Sequence, residues 1–454
     1  MTVKNPSSGR ERTSGKRRAA LLACCAAAAA LTLTACSSGG GTGTTAKDGF
    51  AQAPQKDGAL TVWVDATRMD AAKLYQQLHP EVKLDIVSYD GDANGSNYLQ
   101  TKVQLFNRTG KGWPDVVFSS QNNEASWAVD AGFAAPLNKG LVPADTLGKF
   151  AEGANNPCTV DGTVYCLRND LSQAVLWYNA PLMKQFGYQL PTTWEEYQAL
   201  GEKVAAEHPG YLVGDAGDSY TPEIYLWASK CGANHITGPK AVSVNTSGEA
   251  CTKMAKLMDT LITDKSMSIS GVFSTDFAKN QADKVLLMPG PAWYGGAVFK
   301  DTLKTPAKTI GAAPLPQWKG DSSPSTGNVG GGTWLLSQHS EHLKAATDFL
   351  TWVTTDTAYQ GEKAPGFPAH APSAEAWLKG QDASGYFASD LSALKTASSQ
   401  VWNGWGSGQY SQEAIWAATV KPGMTQGKTI VSMLPAWQEA IVKYAESDGY
   451  KVSS

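Results

Sequence analysis

The chain has 454 residues, of which 42% are hydrophobic, and it carries 38 Lys and Arg against 41 Asp and Glu. This length exceeds what one ordinary hydrophobic core holds, so it predicts two or three domains. The slightly acidic balance excludes the basic surface that proteins need to bind nucleic acid or anionic lipid.

The first 35 residues predict a lipoprotein signal peptide. A charged stretch at Lys16 to Arg18 precedes an apolar run at 21–33, and Leu33-Thr34-Ala35-Cys36 resembles a lipobox. The apolar run is too short to span a bilayer. Cleavage before Cys36 removes six basic and one acidic side chain and leaves a formal charge near minus eight. Residues 36–57, rich in Gly, Ser and Thr, predict a flexible tether; Sec and twin-arginine export both stay open.

The cysteines of the exported part predict two disulfides. Among the three possible connectivities, proximity favours Cys158 with Cys166 and Cys231 with Cys251. The first pair closes a hairpin whose turn is Asp161-Gly162. A two-residue turn puts Cys158 opposite the residue before Cys166, so we expect a bulge or a longer loop. Neither pair has the CxxC spacing of a zinc site.

The segment after the tether predicts a parallel α/β sheet, because strands alternate with helices. Strands are expected at 60–64, 82–87 and 114–118, and helices at 70–78, 98–106 and 124–131. Ligands of open α/β sheets bind beyond the carboxyl ends of the strands. The polar loops 65–68 and 119–122 are therefore expected to face a ligand.

Residues 161–197, DGTVYCLRNDLSQAVLWYNAPLMKQFGYQLPTTWEEY, predict a passage of the chain between two domains. A buried strand is expected at Ala174 to Tyr178, and a helix is expected to begin at Thr193 with Glu196 as capping-box partner. The ordered motifs VDGxVYxL, DLSxAVLxYN and LPxTWEEY resemble the extracellular solute-binding proteins of bacterial carbohydrate ABC transporters, which include maltose-binding proteins. The resemblance continues over nearly all of residues 60 to 445.

This resemblance implies an α/β fold of two lobes with a cleft between them and three hinge crossings. Lobe 1 is expected to comprise residues 58–167 and 312–368, and lobe 2 residues 168–311 and 369–454. The crossings are expected near Leu167 to Asp170, at Ile310 to Pro316 and at Gly366 to His370.

Ligand-binding residues are expected from both lobes. GPAW at 290–293 resembles a family segment GPW that places an indole in the cleft, so either Trp293 or Tyr294 takes that role, or both pack in a core. Residues 401–410 carry glycine-spaced aromatics without helical periodicity, and such rings stack on the C–H faces of sugars. The expected ligand-binding set is Arg68, Asp115, Gln121, Asn122, Asp170, Tyr220, Trp293, Tyr294, Trp402 and Trp405.

The resulting hypothesis is a monomeric, lipid-anchored binding protein on the outer face of the cell membrane. It captures a sugar, in particular an oligosaccharide, by hinge closure and delivers it to an ABC permease, without enzymatic activity, cofactor or metal. His339 and His342 are expected at the surface rather than at a metal. Two alternatives stay open: a glycoside hydrolase, which needs two carboxylates about 5 to 10 Å apart, such as Asp115 and Asp170, and the same fold binding a non-sugar solute.

Overall fold

The structure is a computed structural model that describes residues 50–453. The predicted signal peptide, the lipidation site Cys36 and most of the predicted tether lie outside the described residues. The strands are β1 Leu60–Val64, β2 Leu84–Ser88, β3 Val116–Ser119, β4 Thr159–Val160, β5 Thr163–Val164, β6 Cys166–Arg168, β7 Asp170–Leu171, β8 Ala174–Asn179, β9 Gly214–Asp215, β10 His235–Gly238, β11 Ala241–Ser243, β12 Met267–Ser268, β13 Leu287–Pro291, β14 Ile310–Ala313, β15 Thr333–Leu336, β16 Phe367–Pro368 and β17 Lys451–Ser453.

Helices surround these strands, and two π-helical stretches follow at Tyr294–Thr302 and Thr357–Gly361. The α-helices are α1 Met69–Leu78, α2 Tyr98–Thr109, α3 Glu124–Asp130, α4 Ala144–Leu147, α5 Ala180–Phe186, α6 Trp194–Glu207, α7 Thr221–Ile224, α8 Glu249–Thr263, α9 Thr275–Asn280, α10 Leu343–Thr355, α11 Ala371–Ser384, α12 Ser392–Ser398, α13 Gln412–Thr419, α14 Lys421–Thr425 and α15 Ile430–Ser447.

The first sheet has the order β2-β1-β3-β15-β6. Strand β1 pairs in parallel with β2 and β3, which confirms the predicted βαβ pattern, while β15 is antiparallel to both β3 and β6. Side chains alternate between two cores, because successive residues of a strand point to opposite faces. Val62 and Phe118 pack with Phe349 of α10, whereas Trp63 packs with Val103 of α2.

The second sheet has the order β13-β8-β14, with both outer strands antiparallel to β8. Its central strand is the apolar run that the sequence predicts, and its Trp177 is fully buried. The helix that follows also starts as predicted. The Thr193 hydroxyl accepts a hydrogen bond from the Glu196 backbone N–H at 3.1 Å, and the Glu196 carboxylate accepts one from the Thr193 backbone N–H at 3.2 Å.

Three segments connect the two sheets, as the two-lobed fold requires. The first runs from β6 to β8, and β7 within it pairs with β16 of the third. The second crossing differs from the prediction, since Ile310–Ala313 pairs with β8 inside the second sheet. The chain joins the first sheet only at β15, so residues 326–332 make the connection. The exact lobe boundaries stay a prediction.

Three consecutive glycines make this second connection possible. Gly330, Gly331 and Gly332 have φ angles of 65°, 88° and 65°, a region that glycine adopts without steric cost. A Cβ on Gly331 would lie 2.4 Å from the carbonyl oxygen of Asp170. The first and second crossings therefore approach each other more closely than any residue with a side chain would allow.

Both predicted disulfides are present, Cys158–Cys166 and Cys231–Cys251. The expected bulge is wrong, because β4 and β5 are joined by a two-residue turn. Tyr165 donates its backbone N–H to the carbonyl of Cys158 at 2.8 Å. Cys158 ends a short 3₁₀ turn ahead of β4. Its backbone therefore pairs with Tyr165, while its side chain reaches Cys166, the next residue along the chain.

The segment before β1 is fastened to the loop that precedes α10. The Gln55 side chain donates to the Ser340 carbonyl at 3.0 Å and accepts from the Leu343 backbone N–H at 2.7 Å. Lys56 donates its backbone N–H to the Glu341 carbonyl at 2.9 Å. This attachment lies at the amino ends of the parallel strands β1 and β3.

Candidate functional site

Arg68 joins the loop after β1 to the first crossing. Its guanidinium lies 3.2 Å from a carboxylate oxygen of Asp65, 3.3 Å from one of Asp170, and 4.2 Å above the ring of Phe118. Burial by itself lowers the pKa of Arg68, but the two carboxylates raise it above its ordinary value. Asp170 is 1% exposed, and burial raises its pKa although Arg68 opposes that change.

Arg168, which the sequence analysis missed, holds both crossings and the loop after β3 together. It is buried, and burial lowers its pKa to about 10, against the opposing effects of Asp170 and Glu223. The available signal in the sequence was its position between the motifs VDGxVYxL and DLSxAVLxYN. Its hydrogen bonds go to the carbonyl oxygens of Asp170 and Gly330 and to the side chains of Asn122, Ser172 and Asn328.

A small cavity, the cleft cavity, lies where the carboxyl end of β3 meets the second lobe. Its volume is about 30 Å³. Gln121 and Asn122 were predicted as ligand-facing residues and line it, as does Trp405. The second lobe adds polar groups that the sequence analysis did not name: Glu223, Asn234 and Glu413.

The cleft cavity is lined by buried polar atoms that lack partners. Within residues 50–453, the Glu223 Oε2 atom and both polar atoms of the Gln412 amide make no hydrogen bond. Burial and the neighbouring Glu413 raise the pKa of Glu223 well above its ordinary value. Burial raises the pKa of Glu413 to about 7, against a hydrogen bond with Gln121. Leaving such buried groups unpaired costs free energy, and hydrogen bonds to a ligand would remove that cost.

The adjacent rings of Trp293 and Tyr294, at the end of the GPAW segment, differ in their exposure. Trp293 is partly exposed, donates its indole N–H to the Val329 carbonyl at 2.9 Å, and is stacked with Phe273 at 6.0 Å. Tyr294 is 1% exposed, with its hydroxyl 3.4 Å from that of the buried Tyr220. Tyr294 therefore packs in the core, and Trp293 is the more exposed of the two rings.

The rings of Trp402 and Trp405 pack largely within the second lobe. Trp405 is buried and stacked on Trp227 with 5.4 Å between ring centroids and 9° between planes. The Trp227 indole N–H donates to the Trp402 carbonyl at 2.6 Å. Trp405 reaches the cleft cavity as part of this stack, whereas Trp402 supports the stack through its backbone.

The two lobes also meet at three side chains, which we call the latch. Asp130 belongs to the first lobe, and Lys240 and Gln409, the latter from the same loop, belong to the second. Gln409 Nε2 donates to Asp130 Oδ2 at 2.6 Å, and Lys240 Nζ lies 3.0 Å from the same oxygen. Lys240 also donates to Gln409 Oε1 at 2.6 Å. Burial raises the pKa of Asp130, but the two donors outweigh it and lower that pKa. Sequence reasoning had no signal for contacts so far apart in the chain.

Asp115 corrects the predicted site, because it precedes β3 and lies at the edge of the sheet away from the cleft. Its carboxylate accepts the Thr61 backbone N–H at 2.8 Å and the Ser340 hydroxyl at 2.6 Å, and it lies 3.3 Å from His342 Nδ1. These three partners belong to the fold of the first lobe and lie away from the cleft. His342, expected at the surface, is mostly buried there. Asp115 and Asp170 therefore do not form the pair that glycoside hydrolysis needs.

The end of β9 and the loop after it hold a second pair of neighbouring carboxylates, the buried Asp215 and the partly buried Asp218. Asp215 accepts backbone N–H groups of Gly217 at 2.9 Å and Gly271 at 3.3 Å. Burial and the adjacent Asp218 raise the pKa of Asp215 to about 8. Among residues 50–453, no group of three or more His, Cys, Asp or Glu side chains is arranged to hold a metal ion, and no helix is both long and apolar enough to cross a membrane.

Comparisons with known proteins agree with this architecture. The sequence profile of the family described as bacterial extracellular solute-binding protein matches residues 54–360. The arabinooligosaccharide-binding protein of Bacillus subtilis (strain 168) is 26% identical over 213 residues, 45% of this chain and 47% of that protein. The chain thus spans about half the length of this curated relative.

Two solved structures share the fold. The galacto-N-biose-/lacto-N-biose I-binding protein of Bifidobacterium longum, in complex with lacto-N-biose, superposes with a TM-score of 0.70 at 20% identity, over 88% of this chain and 100% of that one. An ABC transporter associated binding protein from B. animalis subsp. lactis Bl-04, in complex with beta-1,6-galactobiose, gives 0.72 at 18% identity, over 87% and 99%. Both are two-lobed, as this chain is.

Proposed function

Because the chain belongs to the bacterial extracellular solute-binding proteins, we propose that it captures a sugar, in particular an oligosaccharide, between its lobes and delivers it to an ABC importer. The observation that carries this proposal is the cleft cavity, which collects amide and carboxylate groups from both lobes beside indole rings. Sugars offer hydroxyl groups to such acceptors and apolar C–H faces to such rings. The relatives named above bind sugars, which supports the same ligand class here.

Capture of a sugar requires the lobes to open. A cavity of about 30 Å³ is far smaller than the roughly 300 to 1,000 Å³ of ordinary ligand pockets. The crossings suit this motion, because a short strand pair and three glycines connect the sheets. A sugar that contacts both lobes binds the closed state better than the open one, so it shifts the population toward closure.

The remaining parts of the proposal concern location and partners. Lipid on Cys36 would hold the extracytoplasmic protein at the outer face of the cell membrane as a monomer, and the closed form would dock on the permease. The chemistry ends at binding, with no cofactor and no reaction of the sugar. Trp293, Arg68, Asp170, Gln121 and Asn122 are the residues that we expect to contact or position the ligand.

Thermal unfolding with a panel of mono- and oligosaccharides, amino acids and peptides tests the proposal. A ligand at one hundred times its Kd adds about 2.7 kcal/mol to the free energy of unfolding, which raises the midpoint. Gln121→Ala, in the cleft cavity, should reduce that rise, whereas Gln198→Ala, partly exposed on α6 and outside the lining of the cleft cavity, should not. Cleavage of the sugar, detected by mass spectrometry, would contradict a pure binding role. If only charged non-sugar solutes raised the unfolding midpoint, the result would contradict the sugar assignment.

A further inference from the structure

We propose that the cleft cavity binds a protonated amine, held between Glu223 and Glu413, so that the captured ligand is an amino sugar. This inference rests on the proposed function, since it names the class of sugar that the same site takes. It goes beyond that function because neutral sugars need no buried negative charge.

The two carboxylates face one enclosed space from different elements. Glu223 lies in α7 and Glu413 in the first turn of α13, and both line the cleft cavity. Glu413 is 7% exposed, and Glu223 Oε2 is buried without a partner among the described residues. Two carboxylates buried together are unfavourable unless a cation or a proton lies with them.

The charge of Arg168 acts on Glu223, but Arg168 also offsets Asp170, so it does not neutralise the pair. Arg68 is matched by Asp65 and Asp170. Arg168 faces Glu223, but its hydrogen bonds go to carbonyl, amide and hydroxyl oxygens, as described above. In the described part of the chain neither glutamate forms an ion pair within 4 Å, and Asp218 adds further negative charge near Glu413. The cleft cavity is therefore left with an excess of negative charge.

Gln412 is an independent sign that this space receives a ligand. It is 6% exposed, it lines the cleft cavity, and neither its Oε1 nor its Nε2 atom has a partner in residues 50–453. An ammonium group has three donors and no acceptor. Glu223 Oε2, the Glu413 carboxylate and Gln412 Oε1 offer it acceptors of the matching kind, whereas a sugar hydroxyl has only one hydrogen to donate.

The size of the cavity fits the same group. About 30 Å³ admits a water-sized group such as an ammonium. The sugar ring itself must lie outside this space, where the lobes part. An N-acetylated nitrogen is larger and uncharged, so the site should discriminate against it.

Binding of the amine should also release protons. Without a ligand, the raised pKa of each glutamate keeps a proton on the pair near neutral pH. An arriving ammonium replaces that proton, because it supplies the positive charge that the pair lacks. Neutral sugars bind without this exchange.

The test is isothermal titration of the purified protein at pH 6.5 with three matched series. These are glucose, galactose and the β-1,4-linked glucose disaccharide, each compared with its 2-amino and 2-acetamido forms. The amino form of at least one series should bind about tenfold or more tightly than its neutral analogues. Titration in two buffers of different ionisation enthalpy should show proton release for the amino form only.

Charge-removing variants complete the test. Glu223→Gln and Glu413→Gln should bring the amino and hydroxyl forms to within about twofold of each other, whereas Glu446→Gln, exposed on α15, should keep the preference. If a variant fails to fold, proton release by the unmodified protein still decides. Equal or tighter binding of neutral forms overturns the amine site and leaves sugar capture standing. Binding of none of the nine sugars overturns both.

Discussion

Removal of the Asp130 carboxylate should weaken ligand binding without weakening the fold. Asp130 joins Gln409 and Lys240 across the two lobes, so the latch forms only when the lobes are closed. Asp130→Ala deletes both contacts with the second lobe. Its own helix should not suffer, because Asp130 ends α3 and an acidic residue is unfavourable at a helix C-terminus.

The expected size follows from the exposure of the latch. The Asp130 and Lys240 side chains are 52% and 38% exposed, so their ion pair contributes between 0 and about 1 kcal/mol. The amide hydrogen bond to the carboxylate adds about 1 kcal/mol. A loss of about 1 to 2 kcal/mol from the closed state alone corresponds to binding that is roughly fivefold to thirtyfold weaker.

Calorimetry and small-angle scattering measure the two consequences separately. Asp130→Ala should lower the affinity by that factor and raise the fraction of open molecules without ligand, and the defect should shrink at high salt. Asp145→Ala is the matched control, since its exposed carboxylate lies 3.9 Å from Lys149, four residues along the chain in the same lobe. Unchanged affinity together with unchanged scattering in Asp130→Ala would refute the reasoning.

Three further predictions separate structural from ligand-binding roles. Trp293→Ala should weaken sugar binding about tenfold and leave the unfolding midpoint nearly unchanged, whereas Trp405→Ala should lower the free energy of unfolding by about 3 to 5 kcal/mol; a large loss of stability in the first would contradict its assignment. Replacing both Cys231 and Cys251 by serine should cost about 3 kcal/mol, measured by urea unfolding, and unchanged stability would argue against that disulfide. Because the pKa of Asp215 is raised to about 8, its folded form retains a proton that the unfolded chain loses, so stability should fall between about pH 4 and pH 8. Asp215→Asn should flatten that slope, and an unchanged slope would refute the assignment.

Several elements of both lobes were predictable because their local patterns and their tertiary structure agree. The strand at Leu60–Val64 is predicted with its observed bounds, and the Thr193 cap needs only residues three apart. Both disulfides followed from spacing. The rule that ligands lie beyond the carboxyl ends of strands agrees with the position of Gln121 at the cleft cavity, and it argues against Asp115, which stands at the amino end of the same strand.

The cleft was less predictable because its residues come together only in the folded chain. Glu223 and Glu413 lie in separate helices, and nothing around either residue in the sequence marks it as buried. The apolar run Ile310–Ala313 suits a crossing as well as a strand, and only its pairing with β8 decides between them. The burial of Tyr294 beside an accessible Trp293 likewise depends on how that segment packs.

The attachment of Gln55 and Lys56 beside α10 determines where mechanical load enters the molecule. Tension on the N-terminal segment passes into the first sheet at the amino ends of β1 and β3, roughly 13 Å along β3 from the cleft edge. None of the three crossings lies on that path. A pull on residues 50–59 would therefore enter the first sheet without passing through a segment that joins the two sheets.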